Sequence, residues 1–166
     1  MGMSQPKIQD KENHFSYGLD IGRVVCEHTG FDEPSNQPDR YAVYVLECEG
    51  YDSNGYDTDE KFKKDWEYWA SAQDFDGYDP YEPERWAWAA YYADRVFYVG
   101  QTNSLHQRLL DHQSAPEATS IFNVVFQPMC VETVEWVSTR KQSLELEKEV
   151  ADEYSDRSKG WFSYYA

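Results

Sequence analysis

Five residues in this chain carry side chains that could act together on a phosphodiester: Tyr44, Tyr98, Arg108, His112 and Glu147. Hydrolysis of such a bond needs a base for the attacking water, a metal to polarise the phosphate, a cation for the charge that develops on it, and a proton for the leaving oxygen. Phenols and an imidazole can move protons, a guanidinium can meet an oxyanion, and a carboxylate can hold a hard divalent cation. Taken singly, each has an ordinary structural explanation. The chain has fourteen tyrosines, Arg108 has Asp111 within a helical turn as a partner, and Glu147 sits among other Glu and Lys residues. A histidine near a helix end is more often a cap than a catalyst. Only their joint spacing points to chemistry.

That chemistry depends on elements that bring the five together. The β-forming run "YAVYVLEC", residues 41–48, reads as a strand with Ala42, Tyr44 and Leu46 on one face. A second strand, "RVFYVG", is ended by Gly100, with Tyr98 on the opposite face from Phe97 and Val99, and "QTNS" makes the turn. If the two strands pair antiparallel, Tyr44 and Tyr98 become neighbours. In "SLHQRLLDH", Leu105, Leu109 and His112 fall at helical spacing, while Arg108 and His112 are four apart and project together. "IFNVVFQPMC" fits a short helix or an extended run, interrupted by Pro128, and "VETVEWV" alternates as a third strand. Thr139 and Gln142 form a capping-box pattern ahead of a helix over 140–154, in which Ser143, Glu147 and Val150 or Ala151 share a face. The aromatic tail "SKGWFSYYA" is expected to dock on the core.

The pattern resembles the GIY-YIG endonuclease family. Ala42-Val43-Tyr44 is similar to the first motif and Tyr98-Val99-Gly100 to the second, and "QTNSLHQRLLDH" follows the family run Q-T-x-x-L-x-x-R-L-x-x-H. "SLELE" resembles the small-Leu-x-x-Glu pattern of the helix whose glutamate binds the metal, which selects Glu147 over Glu145 and Glu149. The resemblance implies an α+β fold with a small three-stranded antiparallel sheet flanked by helices. It also implies a DNA endonuclease using Mg2+ or Mn2+ held by Glu147. Tyr44, Tyr98, Arg108 and His112 would be catalytic, and Gly100, Gln101 and Thr102 would lie against the substrate. Three departures stand out. Ala42 replaces a glycine, a long acidic segment separates the motif tyrosines, and no asparagine follows Asn123, where many members carry one after the metal-binding helix.

Net charge argues in the other direction. With 31 acids against 15 basic residues the chain carries −16, whereas phosphate binding normally needs a basic footprint. The excess is uneven. Residues 47–84 hold thirteen acids against three lysines, a net of −10, and residues 96–150 hold seven acids against four basic residues, a net of −3. Such acidity suits a halophilic surface, or else it is itself the function and mimics DNA toward a basic protein partner. Residues 49–94 read as an acidic, aromatic insertion between the first two strands. Phe62, Trp66, Trp69 and Gln73 stripe a helix over 58–73, Pro83 opens a second helix through Ala93, and Trp66, Trp69, Trp86 and Trp88 form a core of the insertion's own.

The remaining features set limits. Residues 1–40 read as a polar N-terminal arm with at most one short element around Leu19 to Cys26, and residues 41–166 as the nuclease-like domain. Cys26, Cys48 and Cys130 have neither disulfide-framework nor zinc spacing. No signal-peptide pattern and no membrane-length apolar run is present, so a cytoplasmic protein with no membrane partner is expected. The sequence therefore supports a metal-dependent endonuclease acting on branched or partly single-stranded DNA. Its rival is a non-catalytic GIY-YIG-like interaction protein working through the acidic insertion.

Overall fold

The computed structural model describes residues 40–51, 58–72, 77–114 and 120–165. The expected N-terminal element around Leu19 to Cys26 lies outside the described residues. In chain order the elements are β1 (Tyr41–Cys48), α1 (Asp59–Ala72), α2 (Arg85–Tyr92), β2 (Arg95–Thr102), α3 (Leu105–Ser114), α4 (Ile121–Val125), β3 (Pro128–Val137), α5 (Arg140–Glu153) and β4 (Trp161–Tyr165).

The strands form one sheet in the order β3-β1-β2-β4. β1 pairs antiparallel with both β2 and β3, whereas β4 pairs parallel with β2. This corrects the expectation of three antiparallel strands. The fourth comes from the aromatic tail, which was expected only to dock on the core. Its strand character depends on a partner distant in sequence, since it is extended only by pairing Trp161 to Tyr165 with Arg95 to Val99. Gly160 sets up that pairing in the left-handed conformation at φ 75°, and its carbonyl accepts from the backbone N–H of Asp94 at 2.7 Å. A Cβ there would stand against the Asp94 carboxylate.

β2 also differs from expectation. It runs past Gly100 to Thr102, because Gln101 and Thr102 pair with Val43 and Ala42 of β1. β4 reaches only as far as Val99, so the outer edge of β2 from Gly100 to Thr102 has no strand beside it among the described residues. Pro128 begins β3, and the ambiguous run before it resolves into α4, capped by the Ser120 side chain at the Asn123 N–H.

Alternation along β1 and β2 divides the core. On one face Ala42, Tyr44, Leu46, Val96 and Tyr98 pack with Leu105 and Leu109 of α3 and with Phe122 and Phe126. On the other, Val43, Val45, Phe97 and Val99 pack against Val150 and Ala151 of α5. Phe62, Trp66, Ala87, Ala90 and Tyr91 from α1 and α2 join the first cluster. The described aromatics of 49–94 are thus not a separate core. Phe62 stacks on Tyr91 at 4.7 Å between centroids, and both belong to the layer that covers the sheet. Removing such a fully buried aromatic typically costs about 3–5 kcal/mol.

Candidate active site

Antiparallel register places Tyr44 directly opposite Gly100 and Tyr98 opposite Leu46, so the two tyrosines share a face as diagonal neighbours with ring centroids 6.3 Å apart. Gly100 is required by this arrangement. A Cβ at that position would lie 2.5 Å from Tyr44 Oη and 2.6 Å from Cζ, inside any tolerable contact. The glycine that looked like a strand terminator is instead the bed on which the first tyrosine lies.

α3 supplies the next two groups. Its first turn is tied down by Thr102 Oγ1, which accepts from Ser104 N–H at 2.9 Å, and by Arg108 N–H donating to Ser104 O at 3.0 Å. Leu105, Leu109 and His112 form its buried face. His112 is 2% exposed and its Nε2 lies 2.8 Å from Tyr44 Oη, with its ring also edge-on to Tyr98 at 5.0 Å. It is therefore neither a surface group nor a helix cap. Arg108 turns its guanidinium to both phenols, while Asp111 accepts from Gln107 instead at 2.9 Å.

With Arg108 donating to Tyr44 Oη, the phenol proton is free to point at His112 Nε2. The imidazole then carries its own proton on Nδ1, which has no partner among the described residues. Electrostatics agree with a neutral ring, because burial, with Arg108 nearby, holds His112 down at about 3. Burial also pushes Tyr44 well above the usual phenol range and raises Tyr98, and Arg108 opposes both shifts.

Glu147 arrives from the other side of the sheet. The expected capping box is present, with Thr139 accepting from Gln142 N–H and the Gln142 side chain bonding back, and it starts α5 in a phase that buries Ser143, Glu147, Val150 and Ala151. Ser143 Oγ lies 2.7 Å from the Arg140 carbonyl and 3.2 Å from the Gln101 carboxamide, tying α5 to the end of β2 one turn before Glu147. Glu147 is 4% exposed, and burial pushes its carboxyl up to about 7.

These groups meet in a cleft of about 530 Å³. It crosses the sheet at the uncovered edge of β2, with Tyr44, Tyr98 and Arg108 on one side and Glu147 on the other. Gly100, Gln101 and Thr102 also line it, whereas His112 stands behind Tyr44 and does not. None of the described residues of 49–94 lines it. Sequence reasoning missed Tyr41, Asn103, Arg140 and Leu144, which complete the wall. For the last two a signal existed, since the capping box puts Arg140 first in the helix and Arg140, Leu144 and Glu147 at i, i+4 and i+7.

Among the described residues no three His, Cys, Asp or Glu side chains converge as a metal cluster. A divalent ion here would rest on Glu147 and take its other ligands from water and phosphate, as small hard cations do. The residue fits that role. Its carboxylate is buried with no cationic side chain among the described residues offsetting the burial, a cost that a bound cation would relieve.

No helix among the described residues is long and apolar enough to cross a membrane. Comparison with curated proteins and with solved structures finds no match. Residues 89–160, a stretch that contains Tyr98, Arg108, His112 and Glu147 but not Tyr44, match the family model of the GIY-YIG catalytic domain.

Proposed function

We propose that this protein is a metal-dependent DNA endonuclease that hydrolyses phosphodiester bonds in the cleft at the β2 edge. The observation that carries the reading is the run from Arg108 through Tyr44 Oη to His112 Nε2, set across one cleft from a buried carboxylate. A divalent cation such as Mg2+ or Mn2+, held by Glu147, supplies charge that polarises the phosphate when bound.

Proton movement follows from the side chains. Tyr44 is neutral at neutral pH, so it acts as a relay rather than as a standing phenolate. It takes the proton of the attacking water while its own passes to His112 Nε2, the P–O bond opposite the attacking oxygen breaks, and the leaving oxygen takes its proton from solvent in the open cleft. His112 is a poor base in the free protein, partly through Arg108. A phosphate entering the cleft pairs with Arg108, removes that repulsion and raises the basicity of the ring. Arg108 then stabilises the charge that develops on the phosphate, and Tyr98 supports Tyr44 within the same hydrogen-bonded group. Gly100, Gln101 and Thr102 form the strand edge against which the substrate lies.

Because both tyrosines are buried at the cleft floor, the scissile phosphate must arrive on a strand free to bend into it. Branched or partly single-stranded DNA meets that condition. The test is incubation of the protein with supercoiled plasmid and branched DNA from low to molar KCl, with Mg2+, Mn2+ or EDTA, beside Glu147→Ala and Arg108→Ala. Metal-dependent cleavage lost in both variants is expected. Uncut DNA under every condition in which the protein is folded would sink the reading and turn attention to the acidic segment.

A further inference from the structure

The same face of α5 that presents Glu147 also presents Leu144 and Arg140 to the cleft, and it is the only helical wall on that side of the sheet edge among the described residues. Among the described residues Arg140 and Arg108 are the two cations lining the cleft, in a chain of net charge −16, and neither is ion-paired with a described carboxylate. Arg108 hydrogen-bonds the phenols and, in the proposed mechanism, serves the scissile phosphate. Arg140 bonds neither phenol. Its backbone is held in place, since its carbonyl accepts from Ser143 Oγ at 2.7 Å and the capping box fixes the first turn around it. An exposed arginine held at the rim of an otherwise carboxylate-poor cleft in so acidic a protein calls for an anionic ligand.

Seven residues separate Arg140 from Glu147, which is about 10 Å along a helix. With Leu144 between them on the same wall, the two side chains stand far enough apart to address neighbouring phosphates of one strand. Resting on the nuclease reading above, we propose that Arg140 binds the backbone phosphate next to the scissile one, so that the cut strand crosses the β2 edge from Arg108 toward the start of α5. Leu144, 41% exposed in a polar cleft, then lies against the sugar joining the two phosphates. Arg140 is a positioning residue in this scheme. It fixes which phosphate reaches Tyr44 and contributes nothing to proton transfer.

Dissociation constants measured by fluorescence anisotropy with a branched oligonucleotide, in Ca2+ across a KCl series, give the test. For Arg140→Ala, binding should weaken roughly tenfold at low salt, and the slope of log K against log salt should become shallower by about one contact. Lys141→Ala is exposed, adjacent and outside the cleft, so it should leave the slope near wild type. Single neutral methylphosphonate replacements in the cut strand locate the contact. One next to the scissile position should weaken wild-type binding and have no further effect in Arg140→Ala. Equal slopes for wild type and Arg140→Ala, an equal loss in Lys141→Ala, or additive effects at every methylphosphonate position would overturn the assignment while wild-type cleavage stood. A wild type that neither bound nor cut DNA would overturn the nuclease reading along with it.

Discussion

Tyr44 Oη and His112 Nε2 lie 2.8 Å apart although 68 residues separate them in sequence, and both side chains are buried. The contact joins β1 to α3 and places the imidazole behind the tyrosine, where the proposed mechanism needs its proton acceptor. Tyr44→Phe should therefore fold and keep the cleft, at a cost of about 1–3 kcal/mol for the unpaired imidazole, while cleavage falls by roughly a hundredfold or more. Single-turnover rates beside chemical denaturation separate the two effects. A Tyr44→Phe protein that cut DNA at the wild-type rate would exclude the relay.

Stability should respond to pH through two opposed groups. His112 is held at about 3 against an ordinary 6.5, so the unfolded chain binds a proton that the folded chain refuses, and stability falls as pH drops from 6.5. Glu147 is raised to about 7 from an ordinary 4.5, so the folded chain binds the extra proton and stability falls as pH rises between those values. Between about pH 4.5 and 6.5 the two offset each other. Glu147→Gln leaves only the histidine effect, and its denaturation free energy should fall by up to about 1.4 kcal/mol per pH unit on acidification while wild type stays flatter. Matching profiles for the two proteins would contradict the assigned shifts.

Gly100→Ala is predicted to be more damaging than an ordinary strand substitution. Its Cβ would meet Tyr44 Oη at 2.5 Å, and the ring can yield only by leaving His112. A loss of about 1–3 kcal/mol is expected from the overpacking, together with loss of cleavage. Near-wild-type activity in this variant would show that Tyr44 can work from another position.

Arg95 provides a control away from the cleft. Its guanidinium donates to both carboxylate oxygens of Glu47, at 2.9 and 2.7 Å, and lies over the rings of Phe97 and Trp161. The pair is partly exposed, so solvent screening keeps its worth low. Arg95→Ala should lower stability by about 1 kcal/mol, and metal and DNA binding should be unchanged in titrations.

Metal affinity should follow the ionisation of Glu147. Because that carboxyl titrates near 7, calorimetric titration with Mn2+ should show binding weakening by up to about tenfold per pH unit below that value. Glu147→Gln should abolish the heat of binding at every pH. Unchanged affinity from pH 7.5 to 5.5 would place the ion elsewhere.

Local pattern by itself determined much of this protein. Alternation in "YAVYVLEC" put Tyr44 on a buried face, helical spacing put Arg108 beside His112, and the Thr139–Gln142 box set the phase of α5 so that Glu147 points inward. These are short-range consequences of a two-residue or 3.6-residue period and of cap chemistry, which neighbouring residues alone can specify. Contacts between distant segments were decided only by the tertiary structure. No local pattern says that the tail pairs parallel with β2 and stops at Val99, leaving the edge from Gly100 to Thr102 for the cleft. Nor does one say that the aromatics of α1 and α2 join the main core, or that Glu147 from one side of the sheet meets Tyr44 and Arg108 from the other. Strand neighbours and packing partners are chosen by the free energy of the whole assembled layer, so they become legible only when every element is in place.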